Sequence, residues 1–345
     1  MYKYSFFNDY SEGAHPALLD LMAQTNFTQQ DGYGCDALSL QAQEMIQKML
    51  ENPGAAVHLV SGGTQANLLV LAALLRPYES VIGAETAHIN VHEAGSIEAV
   101  GHKINTVASM NGKLTAGNVE DVLATHTDEH MVKPRVVYIS NSTEVGTIYT
   151  KGELEALSAV CRANQLYLYM DGARLGSALC SKASDLSMPD LGRLVDAFYI
   201  GGTKNGALLG EAIVINNPAL QADFRFHLKQ RGALLAKGRI LGAQFVGLFQ
   251  NDLYFELARH ANAMAEKLVQ AIQALGFPFL TPSPTNQIFP IFPDALITEL
   301  QKDYGFYTWL KLNSGYSVAR LVTSWATPPA MVDEFIQDLN RLAQR

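Results

Sequence analysis

Cysteine is scarce in this chain: Cys35, Cys161 and Cys180 are all there is in 345 residues. Their number is odd and no CxxC spacing occurs, which argues against a disulfide scaffold or a zinc ribbon and fits a reducing compartment. There is no run of Lys and Arg, so nothing points to nucleic acid or to an anionic membrane. The net charge of −8 is made of charges of both signs spread along the chain and mainly favours solubility. No apolar run approaches the roughly 20 residues needed to span a bilayer. The opening MYKYSFFNDYSEG turns polar too soon for a signal peptide. A soluble, cytoplasmic protein is expected. GxGxxG, GxxxxGK[ST] and HExxH are also missing, which weakens dinucleotide, P-loop and zinc-protease readings. No internal repeat or low-complexity tract occurs.

What is present is apolar material in a regular order. Hydrophobic residues make up 48% of the chain, enough for a large core. Strand-like runs, Ala56–Val60, Arg135–Ile139, Leu166–Met170 and Ala197–Ile200, alternate with helical stretches at about Thr64–Leu75 and Glu153–Asn164. This rhythm predicts an α/β fold with a mostly parallel central sheet. The alternation weakens after Gly210, where Gln221–Phe249 and Asp252–Leu275 read as helices. A Pro-rich break at Phe277–Pro284 and a closing helix at about Pro329–Ala343 follow. The expected division is a large domain over residues 1–250, N-terminal segment included, and a small C-terminal domain over 251–345.

Ligands of open parallel sheets bind beyond the carboxyl ends of the strands. The residues at those places are Gly62-Gly63-Thr64, His88, Asn141, Asp171 with Arg174, and Lys204. Lys204 lies between two apolar runs in AFYIGGTKNGALLGEAIVI (Ala197–Ile215). A lysine is rarely left there unless paired or used, and desolvation makes its amine nucleophilic, as Schiff-base chemistry requires. A surface hairpin with the lysine in water is the competing reading. Ser61–Asn67 follows a strand and opens a helix, so it is either an anion cradle or a turn with Thr64 as helix cap. Asp171 can hold a cationic ring nitrogen and Arg174 can grip a carboxylate, unless the two simply pair with each other. His88 and His92 have a spacing that could serve a metal, but no third ligand is evident and no metal is expected; an imidazole stacked on a cofactor ring is the better use of His88. Arg320, in the strand-like run Ser317–Thr323, needs an anion, either a substrate carboxylate or a structural acid. Cys161 and Cys180 read as packing residues.

MDGARLGSA (Met170–Ala178) with GGTKNGALLGEA (Gly201–Ala212) resembles the low-specificity threonine aldolase and beta-eliminating lyase family of fold-type-I pyridoxal-phosphate (PLP) enzymes. NDYSEGAHP, GYGCD, GGTQAN, TAHINVHEAG, KPRVVYISNSTEVGTIY and ARLVTSW extend the resemblance almost end to end. It implies a PLP-dependent transferase-like fold, with a large domain around a mostly parallel sheet and a small α+β C-terminal domain. It implies pyridoxal 5'-phosphate bound to Lys204, Asp171 at the ring nitrogen, His88 stacked on the ring, Gly63 and Thr64 at the phosphate and Asn141 near the ring. Arg174 and Arg320 would hold the substrate carboxylate, helped by Asn8, which stands where the family usually has serine. His130 would approach the β-hydroxyl from a neighbouring subunit, and Lys237 or Arg239 would reach a neighbour's phosphate. The base would be His88, His130 or a water. The implied activity is cleavage of L-threonine, L-allo-threonine or a related β-hydroxy-α-amino acid to glycine and an aldehyde, by a homodimer or homotetramer with sites at the interface. A β-eliminating lyase and a non-catalytic PLP-binding protein are the alternatives.

Overall fold

The computed structural model describes residues 2–312 and 315–344. The chain opens with a two-residue strand, β1 (Tyr4–Ser5), and then builds β2 (Ala56–Val60), β3 (Glu79–Ala84), β4 (Ile104–Val107), β5 (Lys133–Ser140), β6 (Tyr167–Asp171), β7 (Ala197–Gly201) and β8 (Glu211–Ile215). These seven, β2 to β8, form one sheet in the order β2-β8-β7-β6-β5-β3-β4. Only β8 runs against its neighbours, pairing antiparallel with both β2 and β7. The other six strands therefore run in one direction, and their carboxyl ends line one edge.

Alternation along each strand feeds two cores. Val137, Ile139, Leu168, Met170, Phe198 and Ile200 enter one, while Val136, Tyr138, Tyr169, Ala197 and Tyr199 enter the other. A parallel sheet covered on both faces needs such near-continuous apolar strands, because successive side chains point to opposite sides. Helices Ala37–Met49, Lys151–Ala163 and Arg239–Phe249 cover the first face; Gly63–Leu74 and Phe224–Gln230 cover the second. Local signals fix the helix starts: Asp36 accepts from the Ser39 N–H at 2.8 Å, and Thr150 forms a reciprocal capping box with Glu153.

The stretch Gln221–Phe249, read from the sequence as one helix, is two. Phe224–Gln230 ends in a Schellman motif: Gly232 takes φ +69°, its N–H donates to the Lys229 carbonyl at 3.2 Å, and the Ala233 N–H donates to Leu228 at 2.9 Å. The second helix starts only at Arg239. Leu253–Ala274, by contrast, forms as the sequence suggests.

A third core gathers Leu268, Ile272, Phe292, Leu321 and Phe335 with Phe6 from the chain's start. Its strands are β9 (Gln287–Ile288), β10 (Ile291–Pro293), β11 (Tyr304–Gly305), β12 (Tyr307–Lys311) and β13 (Tyr316–Val322). β13 is the hub, antiparallel to β9, β10 and β12, while β1 pairs in parallel with β11. No helix among the described residues is long and apolar enough to cross a membrane. All three cysteines are free; burial pushes the Cys161 thiol up to about 12, and the Cys180 Sγ donates to the Phe255 carbonyl at 3.6 Å.

Gly242 lets the helix Arg239–Phe249 lie directly on the start of Ala37–Met49, since a Cβ there would stand 2.4 Å from the Ser39 nitrogen. Gly242→Ala is expected to destabilise the protein by about 1–3 kcal/mol in urea unfolding, although alanine is the better helix former.

Candidate active site

The carboxyl edge of the sheet carries the polar residues. Asp171 ends β6 and is 4% exposed. Its Oδ2 accepts from the Tyr138 hydroxyl at 2.7 Å and from Asn67 Nδ2 at 3.0 Å; its Oδ1 accepts from the Tyr199 hydroxyl at 2.6 Å and from the Ala173 N–H at 3.0 Å. Tyr138, Tyr169 and Tyr199 lie on the same face of three adjacent strands, which is why their hydroxyls converge. Tyr169 donates to Asn67 Oδ1 at 3.0 Å, fixing the amide so that its NH2 faces the acids. Burial alone would raise the Asp171 pKa, but the neighbouring His88 and the hydrogen bonds from Tyr138, Tyr199 and Asn67 bring it below the ordinary carboxylate value. Asp171 is held ionised.

The same network reaches His88, the first residue of the short helix His88–Val91. Its Nδ1 stands 2.8 Å from Glu93 Oε1, and that oxygen also accepts from Asn67 Nδ2 at 2.7 Å. The His88 N–H donates to Glu144 at 3.0 Å. Burial raises the Glu144 pKa, so this carboxyl protonates more readily than an exposed one.

A cleft of about 450 Å³ brings His88, Arg174, Lys204 and Arg320 together. Lys204 follows β7 by three residues and is half-buried. Among the described residues its ammonium makes no hydrogen bond and no ion pair. Burial and the Arg174 charge lower its pKa, with Asp9, Asp171 and Glu211 opposing. The lysine is thus in the pocket and not on a water-facing hairpin.

The two arginines differ. Arg174 does not pair with Asp171; its Nε and Nη2 donate to Asp9 at 2.7 and 2.9 Å. Asp9 is 1% exposed and also accepts from Asn286 Nδ2 at 2.9 Å. Burial pushes the Asp9 pKa up, but the charges of Arg174 and Lys204 more than reverse this. Arg320 has no acid partner among the described residues. It donates from Nη2 to Gln287 Oε1 at 2.6 Å, stands 5.3 Å from the Trp309 ring centre, and keeps a buried Nε without any partner. Burial and Arg174 lower its pKa to about 10. Of the two sources of an anion that the sequence leaves open for Arg320, a structural acid is not the one found.

The glycine turn also differs from one of its readings. Gly62, not Thr64, is the N-cap of Gly63–Leu74, with no side chain on the first N–H groups; Thr64 is exposed. Gly63 has to be glycine, because a Cβ would stand 2.8 Å from the Tyr199 hydroxyl oxygen. Asn141 is buried, its N–H donating to the Asp171 carbonyl at 2.9 Å and its Oδ1 accepting from the Tyr149 N–H at 3.2 Å. Asn8 does not line the cleft; its Oδ1 caps the turn at Tyr10 and Ser11 at 3.0 and 2.9 Å. His130 sits on an exposed turn, also away from the cleft of its own chain. Arg239 is bound to the Thr25 and Thr28 carbonyls, while Lys237 lines a separate groove beside Met22 and Ile240.

Sequence reasoning missed Asp9, Asn67, Glu93 and Glu144. Each lies inside a segment already singled out, within five positions of a residue that was chosen, so proximity in the motif was the available signal. It also missed the wall formed by Tyr10, Tyr307, Thr308 and Trp309, and it weighed His92, which shares the cleft, only for a metal.

The beta-eliminating lyase family profile matches residues 8–294. A low-specificity L-threonine aldolase of Pseudomonas aeruginosa is 36% identical over 97% of this chain and 96% of its own length. The solved structure of Leishmania major threonine aldolase is 49% identical, with a TM-score of 0.97 and 99% of both chains covered. Thermus thermophilus aspartate aminotransferase, 15% identical with a TM-score of 0.73, shares the fold. The architecture is the fold-type-I one expected from the sequence.

Asp9→Asn leaves the Arg174 charge buried and unpaired, and is expected to cost roughly 3–5 kcal/mol of stability at pH 7. The Asp9 pKa is lowered on folding, so its contribution is present above the unfolded value of about 4 and is lost as the pH falls below it. In urea unfolding across pH, the gap between wild type and variant should therefore be full at neutral pH and close in acid; a gap constant down to strong acid would contradict the ion pair.

Proposed function

Since this chain belongs to the beta-eliminating lyase family, we propose that it is a PLP-dependent aldolase that cleaves L-threonine, L-allo-threonine or a related β-hydroxy-α-amino acid to glycine and an aldehyde. One observation carries this reading: a single cleft holds Lys204, an amine with no partner among the described residues, and Arg320, a guanidinium with no acid among them. An α-amino acid brings the carboxylate that such a guanidinium lacks, and a carbonyl cofactor is what such an amine takes.

The family and the fold imply PLP, and the residues fit it. The N-terminus of Gly63–Leu74 has no side-chain cap and presents bare backbone N–H groups to an anion. Asp171 is ionised by its surroundings, the charge state that a protonated ring nitrogen requires. Lys204, with its pKa lowered, supplies a nucleophilic amine. We assign Lys204 to the covalent link, Asp171 to the ring nitrogen, Gly63 and Thr64 to the phosphate, and His88 and Asn141 to the ring. When bound, PLP supplies an electron sink for the pair released at Cα.

The chain's own groups do the rest. Arg320 binds the substrate carboxylate, and Arg174, steadied by Asp9, adds a second positive edge. Fixing that carboxylate sets which bond at Cα is held for cleavage. Glu93 accepts from His88 Nδ1–H, which leaves Nε2 free to accept a proton. Burial, His88 and Arg320 lower the His92 pKa, which favours its neutral form. His88 and His92 are the imidazoles that reach the cleft from this chain, and His130, on an exposed turn, is free to serve a second copy.

Incubation of the PLP-loaded protein with L-allo-threonine tests the reading: glycine and acetaldehyde should appear, whereas ammonia and 2-oxobutanoate would move the assignment to β-elimination. Lys204→Ala should lose both the visible Schiff-base band and acetaldehyde release. Arg320→Ala should keep the band but raise KM for L-allo-threonine roughly 10- to 100-fold, the loss of a charged hydrogen-bonded contact. An unchanged KM would remove Arg320 from the carboxylate site.

A further inference from the structure

Among the described residues that line the cleft, Glu144 is the only acid, and the reaction above gives it no task. It stands on the loop that follows β5, and that loop is fixed. The Thr143 N–H donates to the Thr147 carbonyl at 2.9 Å and the Gly146 N–H to the Thr143 carbonyl at 3.0 Å. The Thr281 and Thr285 hydroxyls donate to the Val145 and Gly146 carbonyls at 2.8 and 3.1 Å. The carboxyl itself is held by one oxygen. Its Oε1 accepts from the Ser140 hydroxyl at 2.7 Å and from the His88 N–H at 3.0 Å. Its Oε2 accepts from nothing among the described residues and is open to the cleft. The other acids of the site leave no oxygen over. Asp171 and Asp9 accept with both of theirs; Glu93 accepts from His88 and Asn67 on Oε1 and from the Ser96 hydroxyl at 2.6 Å on Oε2. A neutral amide oxygen would cap Ser140 and the His88 N–H as well as Oε1 does, so the cap does not account for a charge or for the second oxygen.

We propose that Glu144 is the catalytic base that takes the β-hydroxyl proton of the substrate, on Oε2. This role rests on the aldolase reading above and assigns the proton acceptor that the reading leaves open. With the substrate carboxylate on Arg320 and its amino group at Lys204, the substituents of Cβ lie in the same cleft, whose one acid is Glu144. The step balances. Oε2 receives the hydroxyl proton, the O–H pair becomes the second carbon–oxygen bond of the aldehyde, the Cα–Cβ bond breaks, and its pair stays with Cα. Cα must then gain one proton to become glycine, which matches the one Glu144 has taken, so no further acid or base is consumed. The imidazoles suit the task less well. His88 is assigned to the cofactor ring, and an imidazole lying flat on a ring keeps its nitrogens in its own plane. His92 has the His88 ring 5.6 Å away, centre to centre, and burial with the charges of His88, Arg320 and Lys204 opposes its protonation. His130 is away from the cleft of its own chain. A carboxylate has no tautomer to set, and burial raises the Glu144 pKa, which makes it a stronger base than an exposed carboxylate.

The test compares two reactions of the PLP-loaded protein. Cleavage of L-allo-threonine needs a base for the hydroxyl. Exchange of the glycine α-proton in D2O, followed by NMR, needs the same lysine, carboxylate grip and electron sink but no hydroxyl base. Glu144→Gln keeps an oxygen for Ser140 and the His88 N–H and removes the proton acceptor. It should lower kcat for cleavage about 100-fold or more and leave glycine exchange within about twofold of wild type. Urea midpoints taken without PLP show whether each variant is folded. Should Glu144→Gln not fold, Glu144→Asp carries the test: its carboxylate is drawn back from the substrate, so cleavage should fall about tenfold with exchange unchanged. Equal losses in the two reactions, or a Glu144→Gln protein that cleaves as the wild type does, would overturn the proposal and leave the aldolase reading standing. A wild type that exchanges the glycine proton yet releases no acetaldehyde would defeat the aldolase reading, and the base with it.

Discussion

Everything at the carboxyl edge of the sheet depends on one carboxylate that is not allowed to take up a proton. Asp171 is buried at a place where desolvation alone would raise its pKa, and four donors with the adjacent imidazole bring it below the ordinary value. Those donors come from β5, β7, the helix Gly63–Leu74 and the turn after β6. The charge therefore joins elements that packing alone would leave free to shift by small amounts. The bonds that hold it ionised also set the ring of His88, since Asn67 bridges Asp171 and Glu93. A buried polar network is favourable only when its members are satisfied, and this one is.

Around that fixed charge the cleft sorts its cations by what they already hold. Arg174 is committed to Asp9, and its charge is largely balanced inside the protein. Arg320 keeps aromatic and amide company but, among the described residues, no anion, so it carries the cleft's unmet demand for negative charge. Lys204 lies in the same cleft as both and has its pKa lowered by burial and by the Arg174 charge. Two guanidiniums of identical chemistry thus differ in what they can still bind, because among the described residues only one of them has an internal acid.

The sheet, its single reversed strand excepted, was legible because parallel strands must be apolar on both faces, and a polar residue at the end of such a run stands out. Lys204, Asp171 and Arg174 were found in that way, and Arg320 as a charge inside an apolar run. The tyrosines around Asp171 were not, because in VVYIS, LYLYM and AFYIG they read as strand hydrophobes and only the third dimension shows their hydroxyls converging. Asp9 was hidden for another reason: its partner Arg174 is 165 residues away. The break at residues 231–238 escaped because a helical apolar pattern runs on through it while Gly232 turns the chain into the left-handed region.

The first ten residues do two things at once. β1 and Phe6 join the last core of the chain, and Asp9 holds Arg174 while binding Asn286, 277 positions further on. In a growing polypeptide the first half of those pairs leaves the ribosome long before the second exists. The seven-stranded sheet takes its strands from residues 56–215, whereas the acid that holds its arginine is also bonded to Asn286, well beyond them. Contacts of such separation form late, since the loop they close is almost the whole protein. The strands that carry the cleft thus lie in one continuous stretch, while the setting of Asp9 is finished only once residue 286 has been made.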